Sequence, residues 1–140
     1  MILQYPNPIL KRKAVRVDPT ATSTYSIVSR LKRTMKEYQS VGLAAPQLGI
    51  SKRIAVVDQI MPAGIIVLIN PVVLKREIIT EVGEGCLSMV KRGTYLIRRP
   101  DKITFKNFVR GKVEIIVKTG RIANIIDHEI DHLNGICGGR

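Results

Sequence analysis

The pattern of apolar and polar positions divides the chain into an N-terminal arm, a helix, a series of strands and a final helix. Residues 1–20 mix prolines with polar and apolar positions and predict an extended arm. Thr22-Ser23-Thr24 can cap a helix that runs to about Gln39. Apolar residues recur in it at helical spacing and predict a core-facing stripe, formed by Ile27, Leu31, Met35 and Tyr38.

After this helix, the chain turns to runs rich in β-branched residues. Turn signals at Pro62-Ala63-Gly64 and Arg110-Gly111 separate some of the runs. No helical pattern alternates with them, so we expect antiparallel or mixed sheets rather than a doubly wound α/β fold. The predicted strands are Arg53 to Asp58, Ile65 to Asn70, Val72 to Thr80, Lys102 to Phe108 and Lys112 to Lys118.

The final helix is predicted from Arg121 to Asn134, with Gly135 as the residue that ends it. Apolar residues occupy so much of its circumference that we expect it to be threaded through the core. The pattern therefore predicts an α+β fold in which antiparallel or mixed sheets surround a central helix. A length of 140 residues suits a single domain, residues 1–140.

Composition narrows the class of protein further. Hydrophobic residues make up 45% of the chain, enough for a core, and no apolar run is long enough to span a bilayer. Lys and Arg number 23 against 11 Asp and Glu, and this net charge of +12 attracts polyanions. No nucleic-acid motif accompanies the basic runs, so an RNA-rich neighbourhood and simple solubility both remain explanations.

Candidate chemistry appears at His128-Glu129-Ile130-Asp131-His132, within the final helix. This HExxH spacing places two imidazoles one turn apart on one helix face, with a carboxylate between them. Such a pair holds a divalent metal and leaves Glu129 beside it as a general base. A charged, solvated helical turn is the alternative interpretation.

A catalytic metal site normally has a third protein ligand. The chain has only two histidines, and residues 133–140 contain no carboxylate. The ligand must therefore lie upstream or be Cys137, which follows the helix and is expected to point away from it. Upstream, Cys86 stands in a glycine-flanked loop, and a thiolate binds zinc or iron(II) strongly. We favour Cys86, His128 and His132, with water as the fourth ligand; a disulfide is disfavoured because no signal peptide precedes the chain.

Three segments resemble, in order, motifs of the peptide deformylases. Ser40 stands where the first motif has a glycine, and Asp127 stands where the third motif has a glutamine. The printed chain ends soon after the third motif, where many relatives continue into a C-terminal helix, and so resembles a short form of the family. The segments are Ser40-Val41-Gly42-Leu43-Ala44-Ala45-Pro46-Gln47, Glu84-Gly85-Cys86-Leu87-Ser88 and Asp127-His128-Glu129-Ile130-Asp131-His132-Leu133-Asn134-Gly135.

The resemblance implies hydrolysis of the formyl group from the N-terminal formyl-methionine of newly made polypeptides. In this interpretation Glu129 moves the proton, while the Gln47 side chain and the Leu87 N–H stabilise the developing oxyanion. It implies iron(II) as the metal in the cell, with zinc, nickel or cobalt as other occupants. The implied substrate-binding residues are Val41, Gly42, Val82, Gly83, Gly85 and Ile125, with Asn124 at the edge of the methionine slot.

Two other functions remain open on the sequence. One is a metallopeptidase of the ordinary HExxH type, and the other is a catalytically weak deformylase-like protein that associates with RNA or the ribosome. For the favoured function we expect a monomer without membrane attachment, which contacts the ribosome weakly through its basic surface. We expect it in the bacterial cytoplasm, or in the host cytoplasm if a bacteriophage encodes it.

Overall fold

The β-branched runs form two antiparallel three-stranded sheets in a computed structural model that describes residues 1–139. The elements are α1 (Thr22–Glu37), β1 (Gly42–Ala44), β2 (Ile54–Asp58), β3 (Ile65–Ile69), β4 (Val72–Glu84), β5 (Tyr95–Asn107), β6 (Glu114–Thr119) and α2 (Gly120–Leu133). The strand orders are β1-β2-β3 and β4-β5-β6, so β1 and β4 are both edge strands. The predicted α+β fold in one domain is confirmed, with both sheets purely antiparallel.

Helix α2 lies between the two sheets and carries the predicted metal face. It packs against β1 and β2 on one side and against β5 and β6 on the other. Ile126, Ile130 and Leu133 are almost fully buried in the core that both sheets share with it. Gly135 follows the helix with a φ of +76°, and a Cβ there would lie 2.7 Å from the Lys11 carbonyl oxygen. The prediction of a buried helix that ends at this glycine is confirmed.

Helix α1 differs from its prediction at both ends and in its buried face. Its N-cap is Ala21, which makes no side-chain capping bond, so the predicted cap by Thr22-Ser23-Thr24 is wrong. The helix ends at Glu37, and Tyr38 is 42% exposed. The predicted burial of Leu31 and Met35 is confirmed, but packing against β1 and β2 buries Thr24 and Val28 in place of Ile27 and Tyr38. The buried residues are Thr24, Val28, Leu31 and Met35.

Two of the strands, β4 and β5, are longer than the alternation of apolar residues predicts, and one strand, β1, is additional. β4 and β5 pair along 13-residue strands, and β5 begins at Tyr95 rather than Lys102. Arg98 and Arg99, which precede Pro100, interrupt the alternation of apolar and polar residues in this part of the strand. Strand β1 was not predicted because its three residues are all buried and give no period-2 pattern.

The N-terminal arm is anchored to the turns that carry the candidate site. It contains a short 3₁₀ helix, Pro8–Lys11, so it is less extended than predicted. The Leu3 N–H donates to the Gln47 carbonyl at 2.8 Å, and the Tyr5 N–H donates to the Ser88 carbonyl at 2.7 Å. The arm thereby ties two separate turns together at one end of the cleft.

Candidate metal centre and active site

Three potential metal ligands converge although they come from distant parts of the chain. His128 and His132 lie on α2, and Cys86 lies at the start of the turn between β4 and β5. The Cys86 Sγ is 3.4 Å from the His132 Nε2, which is 3.1 Å from the His128 Nε2. The three ligand atoms all lie within 4.8 Å of one another. The structure thus brings the predicted ligand set together.

The spacing and chemistry of these atoms suit a small divalent ion. Ligand atoms at about 2.0–2.3 Å from a tetrahedral metal are separated by about 3.3–3.8 Å, close to the distances between these atoms. One thiolate and two imidazoles form a donor set typical of zinc, iron(II), nickel or cobalt. The residues present therefore fit the metal that the sequence predicts.

A carboxylate fixes the orientation of the first histidine. Glu84 Oε2 lies 2.7 Å from the His128 Nδ1, which leaves the Nε2 to face the other ligands. Burial opposes ionisation of Glu84, but hydrogen bonds from His128 and Arg99 outweigh it and keep its pKa far below the ordinary value. The Tyr95 hydroxyl also donates to Glu84 Oε2, at 3.0 Å. Glu84 is therefore an ionised acceptor at the back of the site.

A buried cluster of charges supports Glu84 from behind. Arg99, only 1% exposed, donates to both Glu84 oxygens at 2.9 Å and to Asp131 at 2.6 Å. It also donates to Asp127 at 3.0 Å, and Arg76 donates to the other Asp127 oxygen at 2.7 Å. The charge that Asp127 brings to the metal helix is thus paired with two cations.

Glu129 is a second carboxylate beside the pair of histidines, and it lines the cleft. Its Oε1 is buried and has no hydrogen-bond partner in the described part of the chain. Burial raises the pKa of Glu129, an effect that the nearby histidines partly offset. A Cβ added at Gly42 would lie 2.5 Å from the Glu129 Oε2, so the glycine makes room for this carboxylate.

Gln47 reaches the cleft from the turn after β1. Its Oε1 accepts from the Ala44 N–H at 3.0 Å, and its Nε2 donates to the Ser88 Oγ at 3.1 Å. Because the oxygen is held by the backbone, the amide nitrogen is directed toward the Cys86 turn. Leu87 is the first residue after the N-cap Cys86 of a 3₁₀ helix, a position whose N–H has no acceptor within the helix. Both predicted oxyanion donors therefore lie at the cleft.

The cleft has a volume of about 270 Å³. Its wall includes every predicted catalytic and substrate-binding residue, together with Cys86 and His128, whereas His132 is 1% exposed and lies behind them. The edge strands β1 and β4 contribute opposite sides of the wall. The predicted residues found there are Val41, Gly42, Gln47, Val82, Gly83, Gly85, Leu87, Asn124, Ile125 and Glu129.

Two further residues near the cleft are Ser40, which stands where the first motif has a glycine, and Cys137, which was expected to point away from the final helix. Ser40 does not have a positive φ; the strained position is the preceding Gln39, at 52°. The Ser40 hydroxyl instead donates to the Gly42 carbonyl at 2.8 Å. Cys137 does not point away, because its thiol lies close enough to the Cys86 sulfur to lower the pKa of Cys86. Both cysteines are free thiols.

Several residues at the site carried no predicted role. Glu84 and Ser88 were noticed only as parts of a motif, and Tyr95 and Arg99 were not assigned to the site. One signal was present for Arg99: it falls at an inward position of β5, in phase with Ile103 and Phe105, where a charge requires buried partners.

The fold and the site define a metal-dependent hydrolase, and comparisons with known proteins specify the family. The family model described as polypeptide deformylase matches residues 1–138. A peptide deformylase of Halothermothrix orenii is 43% identical over 131 residues, covering 93% of this chain and 84% of that protein. A peptide deformylase of Thermodesulfovibrio yellowstonii is 38% identical over 141 residues, covering 96% of this chain and 84% of that protein. The chain belongs to the polypeptide deformylase family, whose members are metal-dependent.

Solved structures agree with this assignment. A Met-Ala-Ser-bound class I type b peptide deformylase from Acinetobacter baumannii has a TM-score of 0.89 and 31% identity, with coverage of 96% of this chain and 94% of that one. The Thermotoga maritima peptide deformylase has a TM-score of 0.89 and 34% identity, with coverage of 97% and 92%. These relatives support the deformylase interpretation over a metallopeptidase or a protein without turnover.

Proposed function

We propose that this chain is a peptide deformylase that hydrolyses the formyl group from the N-terminal formyl-methionine of newly made polypeptides. The observation that carries the proposal is the convergence of Cys86, His128 and His132 beside Glu129 and Gln47, in a chain that matches the family over nearly its whole length.

Cys86, His128 and His132 would hold the metal ion. Such an ion acts as a Lewis acid and lowers the pKa of water at the site toward neutrality. We propose iron(II) in the cell, with zinc, nickel or cobalt as alternatives that the same donor set accepts. Replacing Cys86 with Ala should abolish the sulfur signal in an X-ray absorption spectrum of the metal-loaded protein. A spectrum without sulfur in the unmodified protein would contradict this ligand set.

Glu129 is proposed to transfer the proton. Its carboxylate takes a proton from the attacking water and delivers it to the amine nitrogen of the leaving methionine, which yields formate and a free N-terminus. The raised pKa and the unpaired Oε1 of this buried side chain support the role. A base that was already engaged in an ion pair would accept the proton less readily.

The negative charge that develops on the formyl oxygen requires fixed donors. The Gln47 amide nitrogen and the Leu87 N–H are proposed for this purpose. The bond from the Ala44 N–H to the Gln47 Oε1 supports the role, because it holds the amide in the orientation that presents its nitrogen. Donors fixed in advance need not reorganise during the reaction, which makes them effective.

The substrate is proposed to bind between the two edge strands. An extended peptide can pair its backbone with Val41-Gly42 on one side and Gly83 on the other. Val82 and Ile125 would supply the apolar slot for methionine, and Gly85 would allow close approach of the peptide. Support comes from their common position on the wall of one small cleft.

The oligomeric state, the location and the ribosome contact of the enzyme are also proposals. We propose a monomer in the cytoplasm that contacts the ribosome weakly through its basic surface, since the net charge is +12. No helix in residues 1–139 is long and apolar enough to cross a membrane. Ribosome binding of this kind should disappear at moderate salt, because released counterions drive it, while turnover of short peptides stays constant. Binding that resists salt, or no binding at any salt, would contradict the proposal.

Formate release from formyl-Met-Ala-Ser by the metal-loaded protein tests the activity, with acetyl-Met-Ala-Ser and unmodified Met-Ala-Ser as controls. Release from the formyl peptide alone is expected. Cleavage of an internal peptide bond would indicate a metallopeptidase. The absence of any turnover at full metal occupancy would favour the RNA-associated alternative.

A further inference from the structure

A second cavity, of about 410 Å³, lies outside the catalytic cleft and shares no lining residue with it. It is lined by the N-terminal arm, the residue before β2, the start of β4 and the C-terminal end of α2. Among the described residues, four cationic side chains line it and no Asp or Glu does so. These residues are Lys13, Arg16, Arg53 and Arg76.

Arg53 is the most unusual of the four because it is buried and has no counter-ion within residues 1–139. Only 8% of the residue is exposed. Its guanidinium donates to two neutral acceptors, the Leu133 carbonyl at 2.7 Å and the Asn134 Oδ1 at 2.9 Å. Burial, followed by the nearby charge of Arg16, lowers the pKa of Arg53. Buried charges in proteins are normally paired, and the carbonyls at the end of α2 compensate this one only in part.

The residues around Arg53 do not neutralise its positive charge. Among the described residues, Lys13, Arg16 and Arg53 have no carboxylate within salt-bridge distance, and only Arg76 is paired, with Asp127. Arg16 packs over the Phe108 ring, with its guanidinium carbon 5.8 Å from the centroid. Three of the four cations that line the cavity therefore present positive charge without an acidic partner among the described residues.

The backbone around the cavity is fixed, which distinguishes it from a diffuse basic surface. The Ala14 N–H donates to the Leu133 carbonyl, and the Arg53 N–H donates to the Val15 carbonyl, both at 2.9 Å. These bonds hold the arm across the end of α2. Lys13 and Arg16 consequently flank the buried guanidinium in a defined arrangement.

We propose that this cavity is a binding site for a phosphate group. A phosphate offers several anionic oxygens, which match the planar donor forks of Arg16 and Arg53 and the point charge of Lys13. Inorganic phosphate and the backbone of RNA share this chemistry. The proposal goes beyond the deformylase activity and does not depend on it, since the site lies outside the cleft.

The test compares two double variants of the metal-loaded protein. Lys13→Gln with Arg16→Gln removes two cations from the cavity, whereas Arg30→Gln with Lys112→Gln removes two exposed cations that do not line it. The first measurement is Tm in inorganic phosphate against sodium chloride of equal ionic strength. At a phosphate concentration about tenfold above Kd, the unmodified protein and the Arg30/Lys112 variant should gain about 3 °C, and the Lys13/Arg16 variant should gain almost nothing.

The second measurement identifies the source of the phosphate. If the ligand is RNA, a short single-stranded RNA should bind the Lys13/Arg16 variant with a smaller salt slope than the Arg30/Lys112 variant, by about 1–1.5. Equal RNA binding by both variants, with the Tm difference retained, would identify free phosphate as the ligand. No Tm gain in the unmodified protein, or the same loss in both variants, would overturn the site. Deformylation should be unchanged throughout, so failure of that activity has no bearing on the result.

Discussion

The two sides of the His128–His132 pair differ in how their charges are satisfied. We call the part of the site around Arg99 the inner side. There, Glu84 and Asp127 each form an ion pair with Arg99, and a second cation, Arg76, also pairs with Asp127. On the cleft side, the Glu129 Oε1 has no partner in residues 1–139. Arginines neutralise Glu84 and Asp127, whereas Glu129, the group proposed to change its protonation state, has no Lys or Arg partner among the described residues.

This difference distinguishes a carboxylate that positions another side chain from a carboxylate that takes part in the reaction. An ion pair fixes a carboxylate and lowers its pKa, which suits Glu84 as a permanent acceptor for the His128 Nδ1. An unpaired buried carboxylate costs stability, and it is retained where function requires it. Substitutions on the cleft side should therefore change turnover, and those on the inner side should mainly change stability.

The largest effect is expected from Glu129→Gln, which keeps the shape of the side chain and removes the base. Turnover should fall by about 10²–10⁴-fold, while metal content persists. Tm should not decrease, because the variant removes a buried charge without a partner. Glu77→Gln, on β4 and outside the cleft, is the matched control and should retain activity. Near-normal turnover by the Glu129 variant would refute the role.

The next largest effect is expected from loss of the Gln47 donor. Gln47→Ala should lower kcat by about 10²–10³-fold with little change in KM, because the interaction strengthens in the transition state. Gln47→Glu keeps the acceptor for the Ala44 N–H but removes the donor, so a similar fall separates loss of the donor from loosening of the turn. Gln59→Ala, outside the cleft, serves as the control. A rise in KM alone would show that Gln47 only binds substrate.

A smaller effect is expected from Gly42→Ala. Its new Cβ would press on the Glu129 Oε2 from 2.5 Å, and the buried carboxylate would have to shift. We expect kcat to fall by roughly tenfold, consistent with the sensitivity of catalysis to displacements below 1 Å. Gly64→Ala is the control for kcat, since Gly64 lies outside the cleft and a Cβ there meets nothing within 4 Å. Equal kcat values for the two variants would show that Glu129 adapts freely.

More of the residues on the cleft side than on the inner side could be predicted from the sequence. The cleft residues lie in three short motifs, so the spacing of His128 and His132 and the likeness at Cys86 and Gln47 could predict them together. The inner side is assembled from β4, β5 and α2, and the partners of Arg99 are 15 to 32 residues away in sequence. Local patterns do not specify which strand positions meet a helix, so this network required the structure.

The predictions that were wrong also concern positions that tertiary contacts determine. The buried stripe of α1 is set by contact with β1 and β2, and β1 itself is too short to give a pattern. Cys137 was expected to point away because it follows the helix. The chain turns back after Gly135, and Arg92 holds the Gly138 carbonyl at 3.3 Å. Tertiary contacts after the helix end therefore decide where this thiol lies.

The smallest effect on turnover is expected on the inner side, at Arg76. Arg76→Gln leaves Asp127, which is fully buried, with Arg99 as its cation. We expect the free energy of unfolding to fall by about 1–3 kcal/mol, since a buried charge loses one of its partners. Turnover should change less than threefold, because Glu84 still holds His128. Lys75→Gln breaks the neighbouring but exposed pair with Glu77 and should cost at most about 0.5 kcal/mol.

A second substitution tests whether this pairing is the cause. Asp127→Gln restores the residue found in the family motif and removes the charge that Arg76 neutralises. In the Arg76→Gln background it should recover stability, with a coupling energy of about 1–2 kcal/mol in a double-mutant cycle of urea unfolding. The measurements belong in phosphate-free buffer, because Arg76 also lines the basic cavity. Additive effects would show that Arg76 and Asp127 are independent. A large loss of turnover in Arg76→Gln would show that the inner side is part of the reactive machinery.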